Sequence, residues 1–297
     1  MPMTFYKSYI RPLSHIINGN HISVLVFLFL IPAILLPSPL RAEPFRRIVS
    51  LSPSTTEILF AAGLGARIVG VTTFCDYPEE AKRKPKIGGM SNPSLEAVVS
   101  LRPDIVVMTK DGNPQEFVQR LHSLKIRTYV FESFTIPELP GGIRAMGAAL
   151  NEKENFNSLA SDIERTMARF KRLNTGQREK VLFVVWPEPL IVAGHKTAAD
   201  DAIRLLGGIN IAGNAKGRYP KYSIEEVLRQ SPDIIFVGKG MTEKGREDMK
   251  KLSANLIKRI AGVPAVRNKK VFFVSDSLFR LGPRVIDGIK ELAGHMQ

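Results

Sequence analysis

Ser94-Leu-Glu-Ala-Val-Val-Ser-Leu-Arg-Pro-Asp-Ile-Val-Val-Met108 returns 129 residues later as Ser223-Ile-Glu-Glu-Val-Leu-Arg-Gln-Ser-Pro-Asp-Ile-Ile-Phe-Val237. Six of the fifteen positions are identical, and most of the others exchange one apolar residue for another. Each copy starts a helix at serine, carries an acid in the first turn, breaks at proline and closes on an apolar run of strand length. The same unit in the same context in both halves predicts a duplicated α/β lobe.

Around the first copy, Ile48-Val-Ser-Leu51, Ile68-Val-Gly-Val71, Ile105-Val-Val-Met108 and Thr128-Tyr-Val-Phe131 read as short strands. Helices are expected between them. Pro53 suits a first helical turn, Ser54 with Glu57 fits a capping box, and Gly63 ends that helix. Short strands alternating with helices predict a parallel sheet. The second half opens on a strand at Val181. Between the halves, Phe156, Leu159, Ile163, Met167, Phe170 and Leu173 mark one face of a single long helix, ended at Gly176. A helical connector is stiff. The expected architecture is two similar α/β lobes, at 43–150 and 179–297, with mainly parallel sheets. A helix over 151–178 joins them and leaves a ligand cleft between the lobes, at the carboxyl ends of the strands.

Residues 1–42 read as an address. Lys7 and Arg11 precede an apolar stretch of fifteen residues from Ile22 to Leu36, short of the ~20 a spanning helix needs. Cleavage is expected after Ala42, placing the mature chain in the periplasm; an uncleaved anchor is the alternative. The 1–42 segment holds three cations and no acid, so its removal takes the formal charge from +14 to +11. No basic run accompanies that charge, and no nucleic-acid partner is expected.

Several chemistries find no support. There is no phosphate loop, no dinucleotide fingerprint and no nucleophile elbow. The single Cys75 excludes an internal disulfide and any multi-cysteine cluster. His122, His195 and His295 lack ligand spacing, so no protein-held metal or other cofactor is expected. Trp186, the only tryptophan, is expected to follow a strand and line the cleft.

Five segments carry a resemblance: Ile48 to Glu57, Thr73 to Pro78, Ile87 to Glu96, Arg102 to Val106, and Asp276-Ser-Leu-Phe-Arg-Leu-Gly-Pro-Arg284. They resemble the helix-linked periplasmic binding proteins that serve ABC importers of cobalamin, haem and ferric siderophores, and most of all the cobalamin-binding branch. The resemblance implies a monomer that captures a corrinoid and hands it to a membrane permease. It implies that Phe74, Met90 and Tyr219 face the corrin ring, with Tyr77 grouped beside Phe74. Met90 and Tyr219 depart from the best-known member, which has an aromatic and a tryptophan there; a thioether still packs softly on a flat ring. Asp276 and Arg280 match a pair that hydrogen-bonds the ligand's amide fringe; pairing with each other is the alternative. Glu96 and Glu225 match the two acids that dock on arginines of the permease. The helix macrodipole, worth about 0.3–1 kcal/mol to a first-turn acid, would also account for them.

The transported chelate stays open at this level. Haem would call for an axial ligand such as Tyr219 or Tyr222, and a siderophore for a more basic cleft. A fold-related α/β enzyme or chelatase is the reading from another class.

Overall fold

In the computed structural model the described residues are 43–173, 178–239 and 243–296. The expected export signal and Gly176 lie outside them. The first half provides β1 (Ile48–Ser50), α1 (Pro53–Ala61), β2 (Ile68–Val71), α2 (Glu79–Lys82), α3 (Leu95–Ser100), β3 (Ile105–Thr109), α4 (Gln115–Ser123), β4 (Arg127–Phe131) and α5 (Leu139–Ala149). The long helix α6 (Lys153–Leu173) follows. The second half provides β5 (Lys180–Pro187), β6 (Leu190–Val192), α7 (Ala198–Leu205), β7 (Ile209–Asn210), α8 (Ile224–Gln230) and β8 (Ile234–Gly238). It ends with α9 (Glu243–Arg259), α10 (Pro264–Arg267), β9 (Val271–Val274), a 3-10 turn (Asp276–Phe279) and α11 (Val285–Ala293).

The two sheets repeat one plan. The first runs β2-β1-β3-β4, all parallel. The second runs β6-β5-β8-β9, with β7 parallel to the start of β5. Thus β5, β8 and β9 stand where β1, β3 and β4 stand, and β7 where β2 stands. The departure is β6, an antiparallel edge strand that folds back on the end of β5.

The repeated Pro-Asp pair has a structural job. Asp104 accepts from the backbone N–H groups of Arg46 and Arg47, each at 2.8 Å, and Asp233 accepts from Lys180 N–H at 2.8 Å. Each aspartate thereby anchors the start of the neighbouring strand. The residue two positions earlier is left-handed in both copies, Arg102 at φ 44° and Ser231 at φ 53°.

Side-chain alternation puts both sheet faces in cores. Ile48, Ile105, Val107, Val181, Phe183, Ile234 and Phe236 share one cluster with Phe156, Ile163 and Phe170 of α6. Leu159 and Met167 pack against the same cluster, so the expected helical stripe from Phe156 to Phe170 faces a core common to both lobes, while the side chain of Leu173 lies outside the described residues. The opposite faces have cores of their own: Val49, Val106 and Met108 in the first lobe, Leu182, Val184 and Ile235 in the second. Fully burying side chains of this size stabilises by about 1.5–3 kcal/mol each.

One local reading is corrected. The cap of α1 is Ser52, whose Oγ accepts from Thr55 N–H at 3.2 Å, not Ser54 with Glu57. Glu57 is buried and paired with Arg284, so it has no part in the cap. Gly63 does follow the helix end, at φ 80°.

Candidate functional site

A cavity of about 430 Å³ opens where the carboxyl ends of the two sheets meet. The first lobe contributes Phe74, Met90 and Phe134; the second contributes Tyr219, Phe279 and Arg280. Phe74 is 50% exposed and Tyr219 45% exposed, so two rings stand free on opposite walls. Desolvation between the cleft walls, which surround the ring without covering it, pushes the Tyr219 phenol above its ordinary range, and its hydroxyl makes no hydrogen bond among the described residues. Asn113 sets the first wall. Its amide donates to Leu51 O at 3.0 Å and Met90 O at 2.9 Å, and its carbonyl accepts from Thr109 N–H at 2.9 Å. Gly112 leaves room for Met90, since a Cβ there would meet the methionine Cε at 2.5 Å and push the end of that side chain aside.

Two inter-lobe ties flank the cavity. One is a cluster of three carboxylates and two guanidiniums. Arg280, only 6% exposed, pairs with Asp76 of the first lobe, with Asp276 at 3.1 Å and with Glu57 at 3.6 Å. Arg284 pairs with Glu57 at 2.9 Å and lies 3.8 Å from Asp276. Burial pushes the Glu57 carboxyl up, against the opposing pull of Arg284. Burial also acts on Asp76, but the hydrogen bond and charge of Arg280 win and hold it below its ordinary range. Arg280 lines the cavity, and its Nε is buried without a hydrogen-bond partner. The other tie is Arg218, which donates to Asp111 of the first lobe at 2.9 Å and to Lys196 O at 3.0 Å. Its guanidinium lies 5.8 Å from the centre of the Tyr219 ring.

The structure thus gathers Phe74, Met90, Tyr219 and Arg280 at one cavity. Asp276 stands behind Arg280 as its ion-pair partner and is not part of the lining. Tyr77 lines a separate recess of about 720 Å³ with Glu57, Lys84 and Arg284, and Arg284 lies 4.5 Å from the centre of its ring. Trp186 sits within β5 rather than after it, paired with Ile191. It packs on the outer core of the second lobe and donates from Nε1 to Glu188 O at 2.7 Å, away from the cavity lining. Tyr222 is likewise elsewhere, its hydroxyl donating to Ile211 O at 3.0 Å. Asp76, Asp111, Phe134, Arg218 and Phe279 were not singled out in the sequence. Arg218 adjoins Tyr219 and Asp111 follows β3, the two signals that would have flagged them.

Glu96 and Glu225 are exposed in the first turns of α3 and α8. Their own backbone N–H groups, then Ser94 and Ser223, hold both carboxyls below the ordinary range. Neither has an ion-pair partner among the described residues. Cys75 is buried, with Sγ 3.1 Å from Thr72 Oγ1, and burial pushes its thiol up, as expected of an unreactive core cysteine. Among the described residues no group of three or more His, Cys, Asp or Glu is placed to hold a metal, and no helix is long and apolar enough to cross a membrane.

Comparison with known proteins places this geometry. The vitamin B12-binding protein of Vibrio parahaemolyticus is 27% identical over 258 residues, covering 86% of this chain and 90% of that one. The solved periplasmic vitamin B12 binding protein BtuF of Vibrio cholerae matches with a TM-score of 0.72 at 26% identity, over 85% of this chain and 97% of its own. The periplasmic heme-binding protein RhuT of Roseiflexus sp. RS-1, solved in its apo form, matches with a TM-score of 0.76 at 29% identity, over 84% and 97%. The periplasmic binding protein family itself matches residues 48–278. With its paired lobes, linking helix and interlobe cavity, the chain belongs to the periplasmic binding protein family, whose members bind solutes rather than transform them.

Proposed function

We propose that the protein is the extracytoplasmic substrate-binding component of an ABC importer and that its cargo is a corrinoid. The observation that carries this is the cavity: two free rings, Phe74 and Tyr219, face it from opposite lobes, with Met90 beside them and Arg280 in the wall. Flat apolar faces suit a macrocycle, and a guanidinium suits the amides around its rim. The volume lies within the ~300–1,000 Å³ of small-molecule sites, and a macrocycle would fill it and project from the mouth. In this reading Asp276 orients Arg280, while Tyr77 and Trp186 support the walls from outside. Residues 43–150 and 179–297 are the lobes, and 151–178 the connector. Residues 1–42 direct export, the mature chain works as a monomer in the periplasm, and Glu96 and Glu225 dock on the permease.

Haem is the second reading, favoured by one observation: the unpartnered phenol of Tyr219, placed to act as an axial ligand. Tyr222, its alternative, is committed to Ile211 and lies outside the cavity.

Calorimetric titration of residues 43–297 with cyanocobalamin, beside a spectral titration with haemin, tests both. One-to-one binding of cyanocobalamin, weakened by about 1–3 kcal/mol in Phe74→Ala and in Tyr219→Ala, is expected. No heat with cyanocobalamin and a haemin spectrum abolished by Tyr219→Phe would replace the corrinoid with haem.

A further inference from the structure

Among the described residues, seven large apolar side chains are exposed, and three of them line the two cavities above. The other four are Val99, Leu124, Ile209 and Leu228. A lone exposed leucine is ordinary and calls for no explanation. Val99 and Leu228, however, occupy the same position of the internal repeat, 129 residues apart. They are 39% and 44% exposed. Each lies three residues after Glu96 or Glu225, one turn along the same helix face. The helices agree around them. Val98 and Val227 are fully buried beneath, while the acid and the apolar residue stand out in both. Both helices begin on a serine cap, with Ser94 accepting at 3.1 Å and Ser223 at 3.0 Å. The neighbouring acid Glu226 is tied to Arg229 at 2.8 Å, whereas Glu96 and Glu225 have no such partner among the described residues.

We propose that Val99 and Leu228 are contact residues of a two-point docking surface, each lobe presenting a carboxylate with an apolar knob one turn away. The partner is a pair of like membrane subunits, each offering a cation beside an apolar socket. This rests on the docking role given above to Glu96 and Glu225 and extends it. An apolar ring that shuts water out strengthens the ion pair it surrounds. The repetition fits a partner that itself comes as two equivalent copies.

The test measures docking of the full mature protein to the corrinoid importer of the same cell, reconstituted in lipid nanodiscs. Val99→Ser and Leu228→Ser are each expected to weaken docking about 5- to 30-fold. Leu124→Ser and Ile209→Ser, exposed but unmatched by the repeat, serve as controls and leave docking unchanged. Cyanocobalamin affinity and melting temperature stay at wild-type values in all four. Wild-type docking by Val99→Ser and Leu228→Ser, or equal loss in the controls, overturns the proposal while leaving the Glu96 and Glu225 reading intact. Failure of the wild type itself to dock brings down both. Equal binding to empty nanodiscs assigns the surface to lipid and also overturns it.

Discussion

Asp76 and Arg280 meet across 204 residues of chain, and their pairing has a sign that acid can read. Because Arg280 holds the Asp76 carboxyl below its ordinary value, this pair contributes stability above the carboxylate range and loses it as pH falls through the depressed folded value. Glu57 runs the other way: burial raises it, so its protonation favours the fold. Asp76→Asn removes only the first contribution. Denaturant midpoints of wild type are expected to fall on acidification below about pH 4, and those of Asp76→Asn to fall less. Parallel curves would uncouple the pair from acid stability. Asp276 and Arg280 were legible through the resemblance that their shared segment carries. Asp76 was not, since no spacing rule reaches a partner in the other lobe. Trp186 was misread because the strand runs further than its apolar core suggests, and alternation in phase with Leu182 and Val184 turns the indole to the outer face.

The helix–strand unit was the most legible object, because its two copies obey the same local physics. Short apolar runs between helix signals gave the strands, and the serine starts gave α3 and α8. The edge strand β6 was hidden, since three residues carry too little pattern to separate a hairpin return from a loop. What the repeat conceals in one dimension is the use of its Pro-Asp pair. Asp104→Ala and Asp233→Ala each delete a charged acceptor from backbone N–H groups and are expected to cost about 1.5–3 kcal/mol in chemical denaturation. A loss well below this in both would mean that water replaces the carboxylates.

At the scale of the molecule, the core shared by both lobes and α6 sets the stiffness, and the two ties set what remains free to move. The stripe on the connector was readable as a helix face; its burial between two sheets was not, because one amphipathic face does not say how many partners cover it. The Arg218–Asp111 tie is half exposed and joins the two lobes in the cavity lining, so it holds by about 0.2–1 kcal/mol. Asp111→Asn is therefore expected to raise both association and release rates of the cargo about 1.4- to 5-fold, with little change in affinity, in stopped-flow fluorescence. A change confined to affinity would make Asp111 a direct contact instead.

The repeat of α3 in α8 also bears on orientation. A face that presents the same carboxylate and the same apolar knob twice offers a two-fold acceptor two ways of landing, half a turn apart. On the docking proposed above, both poses would bring the cleft to the same place above the acceptor's axis. Productive encounters are then about twice as frequent as for a face with one correct pose. The duplicated lobe thus relaxes the aim required of a diffusing carrier, in addition to building its cleft.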